Sequence, residues 1–309
     1  MKVLVTGGAG FIGSHLVDEL LARGHSVTVL DDLSSGTMDN LKTHTGEPAF
    51  RFIQGDIRDA EAVERALAGV DAVIHEAAMM SVPLSIEDPE LAQSVNVDGT
   101  LALLKASLGH GVKRFVYASS CAVYGEQAEL PINEDAPPQP LSPYASSKLA
   151  AEKNCLAFHE REGLETVCLR YFNVYGPRQT FGEYAGVMMK FLECLRTDQP
   201  PIIYGDGEQT RDFIFVGDVA EATLLALERK GVAGEVMNIG TGEATSINKL
   251  CEVFLRLVGK SELKPIYEVP RGGDIKHSLA DITKARKLLS FKPKTSLEEG
   301  IKKLLGGLE

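Results

Sequence analysis

The run VTGGAGFIGSHL, residues 5–16, constrains this chain more than any other stretch. The β-type segment KVLVT (2–6) leads into it and a helical pattern follows. Gly8, Gly10 and Gly13 therefore fall in G-x-G-x-x-G spacing at a strand-to-helix turn. Glycine there lets the backbone turn tightly and come within van der Waals reach of a pyrophosphate, whose charge the N–H groups at the helix start stabilise. The spacing alone is a weak signal, since loop glycines with no ligand also produce it. Its context strengthens it: Asp31 closes the next strand, SVTVLD (26–31), where a carboxylate can accept hydrogen bonds from ribose hydroxyls; the plain alternative is a solvated turn residue. Asp32 follows and no Arg stands beside the two acids, which would repel a 2′-phosphate, so NAD is expected rather than NADP.

The same rhythm runs on through AFRFIQG (49–55), DAVIHEA (71–77), RFVYASS (114–120) and TVCLRYF (166–172), alternating with helical patterns such as SHLVDELLARG and DAEAVERALAGV. Asp59 is a candidate N-cap for the latter. Strands alternating with helices argue for βαβ units and a parallel sheet. The expected fold class is α/β: a Rossmann-type doubly wound parallel sheet over residues 1–172, to which later segments return, and a smaller C-terminal α/β substrate lobe over 173–309. Beyond residue 173 the text is broken by loop-rich stretches, YGPRQTFGEYAG, PPIIYGDGEQTRDF and PRGGDIKHS.

Composition narrows the partners. The 309 residues carry 32 basic and 43 acidic side chains, a formal charge of −11 that disfavours nucleic acid and anionic membrane surfaces. No apolar run approaches the ~20 residues of a membrane span, and the stretch before Gly7 is too short for a signal-peptide core. The 5 cysteines form no C-x-x-C pair, and a reducing cytoplasm fits them best. No histidines are spaced as metal ligands, and HEAA (75–78) lacks the second His of H-E-x-x-H, so no metal is expected.

Chemistry is carried by LSPYASSKLAAEK. Ser142 is a candidate N-cap and Pro143 suits the first helical position, so Tyr144 and Lys148 share a helix face at i and i+4. A phenol with a pKa about 10 is a poor base at neutral pH, but an ammonium and a nearby nicotinamide cation both favour the phenolate. Tyr144 then becomes a general acid/base. By itself Y-x-x-x-K also occurs as a surface pair.

TGGAGFIG, the strand end SSCAVYG and YASSK together resemble the extended short-chain dehydrogenase/reductase superfamily, over nearly the whole chain. GDIRD (55–59), HEAA, NVDGT (96–100), RYFNVYGPRQ (170–179) and RDFIFVGDVAEA (211–222) resemble its sugar-nucleotide branch. The resemblance implies a cofactor site made by Gly7, Gly10, Phe11, Ile12, Gly13, Asp31, Asp32, Ser35 and Gly36. Asp56 and Ile57 would flank the adenine, Ala77 and Ala78 would line the cleft, Asn96 would support the nicotinamide side, and Phe172, Tyr144 and Lys148 would complete it. A turn for Asp56, core packing for Ala77, Ala78 and Phe172, and a helix cap for Asn96 are the plainer readings.

Members of this branch open by removing the O4 proton of a nucleotide sugar with the tyrosine while hydride passes from C4 to NAD. In its 4,6-dehydratases an Asp and a Glu follow the strand-end hydroxyl; here those positions hold Cys121 and Ala122. Without them the hydride returns to the sugar, and its return to the other face inverts C4. The chain most resembles the UDP-galactose 4-epimerases, which implies catalysis by Ser120, Tyr144 and Lys148, with Ser120 and Tyr144 also contacting the sugar. The same resemblance implies Asn173, Arg211 and Arg271 on the diphosphate, and a homodimer through helices around 90–109 and 144–162. Ser119 reads as structural support. Two departures stand out: Gly186 where many hexose epimerases carry Asn, and Ser278 where narrow UDP-glucose enzymes often carry Tyr. A small residue at 278 leaves room for an N-acetyl group. Other nucleotide-sugar enzymes of the superfamily (uronate epimerases, decarboxylases, dehydratases) and a non-catalytic NAD-sensing protein are the alternatives.

Overall fold

The computed structural model describes residues 1–181, 186–270, 272 and 275–307; Arg271 lies outside the described residues. The first half runs β1 (Lys2–Thr6), α1 (Phe11–Ala22), β2 (Ser26–Asp31), β3 (Phe50–Gln54), α2 (Ala60–Leu67), β4 (Ala72–His75), α3 (Val82–Glu87), α4 (Pro89–Gln93), α5 (Thr100–Gly109), β5 (Arg114–Ser120), α6 (Pro143–Glu162) and β6 (Glu165–Tyr171). The second half is more broken: β7 (Asn173–Tyr175), α7 (Val187–Arg196), β8 (Ile202–Tyr204), β9 (Thr210–Arg211), β10 (Phe213–Phe215), α8 (Val216–Glu228), β11 (Val236–Ile239), β12 (Thr245–Ser246), α9 (Ile247–Leu257), β13 (Ile266–Glu268), α10 (Thr283–Leu289) and α11 (Leu297–Gly306).

Seven parallel strands form the main sheet in the order β11-β6-β5-β4-β1-β2-β3. Successive side chains point to opposite faces of a strand, so apolar runs with no polar alternation must be covered on both faces. Val3 and Val5 pack into one core with α1 and α8, while Leu4 packs into the other beneath α2, α5 and α6. Phe115 and Tyr117 likewise face α5 and α6, whereas Val116 and Ala118 face α8. The helices are stopped and started locally: Asp59 caps α2 by accepting from the Glu61 N–H, and Ser142 caps α6 by accepting from the Ala145 N–H.

Strand order reverses between β1 and β4, which opens a crevice at the C-terminal strand ends. The division at residues 172 and 173 is crossed again by the chain: β11 pairs with β6, Met237 opposite Leu169, and α8 covers the sheet beside α1. The smaller lobe is therefore not one continuous C-terminal segment. Its own core joins Met189, Phe191 and Leu192 of α7 to Leu250 and Phe254 of α9 and to Ile301 of α11. A further cluster of Val123, Tyr124, Ile132, Phe172, Ala280 and Ile282 ties the segment after β5 to the segment before α10. Among the described residues, no helix is long and apolar enough to cross a membrane.

Candidate active site

At the β1 end the site is made by backbone. A Cβ on Gly13 would lie 2.1 Å from the Gly7 carbonyl oxygen, so only glycine lets α1 start against its own loop. Gly7 takes φ +69°, and a Cβ there would lie 2.7 Å from the Ala77 nitrogen, which brings the loop directly against the end of β4. Gly10 is the N-cap of α1 and no side chain caps the helix, leaving the first-turn N–H groups of Phe11, Ile12 and Gly13 for an anion. Asp31, buried, accepts from the Ala9 N–H at 2.9 Å through one oxygen and from the Leu33 N–H at 2.8 Å through the other. Burial raises its pKa above the carboxylate norm, and the two N–H groups oppose the rise. It thus ties the loop to β2 while sitting where the ribose was expected. Asp32 is exposed and accepts from the Ser34 N–H and hydroxyl, Ser35 is exposed beside it, and Gly36 lies against the Ala9 carbonyl. Uncapped N–H groups, a cradle without room for side chains and an acid at the end of β2 fit a dinucleotide.

The expected flanking residues fall on either side of the loop. Asp56 is held by Arg58, whose guanidinium keeps the Asp56 carboxylate below its ordinary range. Ile57 is buried against Gly99. Ala77 and Ala78 are half-buried, and the Ala77 N–H donates to the Thr6 hydroxyl at 3.3 Å. Asn96 is fully engaged: its oxygen accepts from the Met79 N–H at 2.8 Å, and its amide donates to the Met79 carbonyl at 3.0 Å and to the Ser147 hydroxyl at 2.9 Å. Its part is to clamp the 77–79 strand exit onto α6. It lies in a π-helical turn, Ser94–Gly99, a distortion common at functional sites.

At the β5 end the site is made by side chains. Ser120, Tyr144, Lys148, Phe172, Ile12 and Glu76 meet around a cavity of about 130 Å³. Ser119, also on the cavity lining, donates to buried Glu152 at 2.7 Å; Glu152 in turn pairs with Arg170 at 2.6 Å, a support under the strand ends. Lys148 donates to the Ala118 carbonyl at 2.8 Å and lies 5.1 Å over the Tyr117 ring. Burial lowers its pKa, with the Glu76 carboxylate opposing. Burial pushes Tyr144 up to about 12, while its hydrogen bond with Ser120 works the other way. The sequence reading had the ammonium and a nearby nicotinamide cation both favouring the phenolate. Lys148 holds its Nζ on the Ala118 carbonyl while lining the same cavity as Tyr144. The fold by itself leaves Tyr144 protonated; lowering it takes nearby positive charge, which the Lys148 ammonium and a bound cofactor would supply. Cys121 supplies no base, since burial pushes its thiol up to about 12.

The lobe adds the third wall. Asn173 is half-buried and donates to the Asp212 carbonyl at 3.2 Å. Arg211, half-buried, donates to the Thr210 carbonyl at 2.8 Å, and its charge acts on Cys121, whose thiol partners the Ser278 hydroxyl. Ser278 and Arg211 are thereby brought to the strand end that carries Ser120. Gly186 is the N-cap of α7.

Sequence reading missed three features. Asp212, beside Arg211, is a buried knot accepting from the Thr241 hydroxyl and from the N–H groups of Thr241, Gly242 and Ala280. The Glu152–Arg170 pair joins α6 to β6, and only its burial distinguishes it from a surface pair. Glu76 matters most: the residues after Ser120 hold no acid, yet the cavity does, delivered by β4.

Residues 3–240 match the family described as "Epimerase: NAD dependent epimerase/dehydratase family". A putative UDP-glucose 4-epimerase of Methanocaldococcus jannaschii is 42% identical over 309 residues, covering 99% of this chain and 98% of the relative. Two solved structures superpose over almost the full length. One is the UDP-glucose 4-epimerase of Thermotoga maritima with UDP-glucose (TM-score 0.94, 41% identity, 100% of this chain and 98% of that one). The other is the UDP-N-acetylglucosamine 4-epimerase of Methanobrevibacter ruminantium with UDP-N-acetylmuramic acid (TM-score 0.92, 41% identity, 99% and 98%).

Proposed function

This chain belongs to the NAD dependent epimerase/dehydratase family of enzymes, and on that footing we propose that it inverts C4 of a UDP-hexose through a transient 4-keto sugar. The glycine loop and Asp31 would hold NAD, whose chemistry there would be reversible hydride transfer, from C4 and back to its opposite face. Tyr144 removes the O4 proton and later returns it. Ser120, hydrogen-bonded to Tyr144, holds O4 and relays the proton. Lys148 orients the pair and places positive charge behind it. Ile12 and Phe172 line the cavity with apolar surface, which excludes water from the keto intermediate.

The observation that carries this reading is the meeting of Ser120, Tyr144 and Lys148 on one small cavity, with Cys121 and Ala122 where an eliminating acid pair would stand. Asn173, Arg211 and Arg271 hold the diphosphate. UDP-glucose and UDP-galactose are the proposed substrates. Small Ser278 supports acceptance of the N-acetylated sugars, as does the likeness to an enzyme named for UDP-N-acetylglucosamine. The five cysteines are all unpaired, in keeping with a reducing cytoplasm. Exposed Leu108, on one of the two helices expected to pair, supports a homodimer, as do exposed Val82 and Ile86 on α3, which packs against α6.

The test is incubation with UDP-galactose and UDP-N-acetylgalactosamine, with and without added NAD, and product identification by NMR. The expected products are the glucose and N-acetylglucosamine isomers, formed without added cofactor. A 4-keto-6-deoxy sugar would replace epimerisation by dehydration; if neither hexose is converted and a UDP-hexuronate is instead, its C4 isomer would point to a uronate epimerase, and a pentose with release of CO2 to a decarboxylase. Tyr144→Phe is expected to lower turnover by about 10²–10⁴-fold with NAD still bound; unchanged turnover defeats the mechanism.

A further inference from the structure

We propose that Glu76 is held as a neutral carboxylic acid at the wall of the reaction cavity, the first donor of a proton chain through Tyr171 and Thr223 to the Val219 carbonyl, and that its neutrality spares Tyr144 a neighbouring negative charge.

Three contacts link Glu76, just past the end of β4, to Tyr171 of β6 and to Thr223 and Val219 of α8. Glu76 Oε1 lies 2.9 Å from Tyr171 Oη, Tyr171 Oη lies 2.8 Å from Thr223 Oγ1, and Thr223 Oγ1 lies 2.8 Å from the Val219 carbonyl oxygen. Each contact needs one hydrogen, because two oxygens at such a distance repel without one. The two hydroxyls own one hydrogen each, and the carbonyl owns none. Two hydrogens cannot fill three contacts. A proton on Glu76 supplies the third, and every group then donates in one direction: Glu76 to Tyr171, Tyr171 to Thr223, Thr223 to Val219.

The surroundings agree. Among the described residues, the titratable groups acting on the carboxyl are Lys148 and Tyr171, and Tyr144 also feels its charge; Thr223 and Val219 of α8 are neutral. Burial raises Glu76; a hydrogen bond from Tyr171 to the carboxylate and the Lys148 charge oppose, and the first is lost when the Tyr171 hydrogen goes to Thr223. The consequence lies at Tyr144, where an ionised Glu76 disfavours the phenolate and a neutral one does not. Sequence reading expects no acid beside the serine strand end. An acid is present, and the proton chain keeps it from acting as a carboxylate.

The experiment is infrared spectroscopy of the purified NAD-containing protein against pH, taken as the difference between wild type and E76Q. Glu76 should contribute the carbonyl stretch of a protonated carboxylic acid at pH 7. A lost carboxylate band in its place overturns the proposal. T223V provides an independent arm at a residue away from the cavity. It removes the acceptor of the Tyr171 hydrogen, so the acid band should vanish about one pH unit lower, a tenfold change in the ionisation constant; no shift counts against the chain. The effect on Tyr144 rests on the function proposed above and is read separately. The ratio of E76Q to wild-type kcat should rise with pH across the interval in which the acid band disappears, and a flat or falling ratio removes the effect on Tyr144. The infrared result needs no turnover, so a failed mechanism and a failed protonation assignment are distinguishable.

Discussion

The two ends of the cleft are built by opposite means. At β1 the site is an absence of side chains: Gly7 and Gly13 let backbone meet backbone, and the ligand-facing groups are N–H dipoles fixed in place. At β5 it is a concentration of titratable side chains, buried Lys148 with half-buried Tyr144 and Glu76, whose charges depend on one another. The first end should respond to substitution sterically and with little dependence on pH. The second should respond gradually, through ionisation, with its packing almost intact.

The largest effect should follow from adding one methyl group at the steric end. Gly13→Ala places a Cβ 2.1 Å from the Gly7 oxygen, and since both atoms are backbone-fixed the loop must move. We expect about 3 kcal/mol of lost stability and no retained NAD, measured by denaturant unfolding and by cofactor content after purification. Gly109→Ala is the matched control, because nothing lies within 4 Å of its Cβ position; stability should be unchanged or slightly higher, as alanine favours the helix. Equal losses in both variants would break the steric account.

The electrostatic end is tested next by Lys148→Met, which keeps the length of the side chain and removes its charge. Turnover should fall by about 10²-fold or more. Stability should change by only about 1 kcal/mol, because relief from burying an ammonium offsets the hydrogen bond lost to the Ala118 carbonyl. A collapse in stability with normal turnover would reverse the assignment. Asp31→Ala stands between the two regimes. It removes an anion that accepts from Ala9 and Leu33, so NAD affinity should fall about tenfold to a hundredfold by calorimetric titration, while kcat at saturating NAD stays within a fewfold of wild type.

The same contrast explains what could be read from the sequence. A glycine turn is local, so its spacing, the strand before it and the acid closing β2 are all visible within 31 residues. Tyr144 and Lys148 were visible because one helix turn fixes them together. Glu76 and Tyr171 are 95 positions apart, and Tyr171 and Thr223 are 52 apart. Only the strand order brings them together, and no periodicity encodes it. Asn96 was expected to support the nicotinamide side; the contacts the fold gives it go to the Met79 backbone and to Ser147. The return of β11 to the sheet was expected only in outline, because a four-residue strand after a long excursion leaves little pattern.

The smallest expected effect belongs to a residue that joins the two ends. His75 lies between Thr6, the last residue of β1 before the glycine loop, at 2.7 Å and Thr100, the first residue of α5, at 2.8 Å. Thr100 gives its hydrogen to the Asn96 carbonyl at 2.6 Å, so it accepts from His75 Nε2–H, and Nδ1 is left to accept from Thr6. A neutral imidazole satisfies every partner; a second proton would face the Thr6 hydroxyl. Burial lowers His75 to about 3 from its ordinary 6.5, with the Lys148 charge adding to the effect. Across that window the unfolded chain binds the proton and the folded one refuses it. The stability contribution is therefore fully present above pH 6.5 and declines on acidification by up to about 1.4 kcal/mol per pH unit. His75→Gln removes the titration while keeping a donor and an acceptor. Urea unfolding from pH 7.5 down to about 5.5 should give a shallower fall in stability for the variant, by close to one proton's worth of slope. Parallel slopes would mean that His75 accepts its proton in the folded protein, and that the link between the glycine loop and the Asn96 clamp is not the neutral bridge described here.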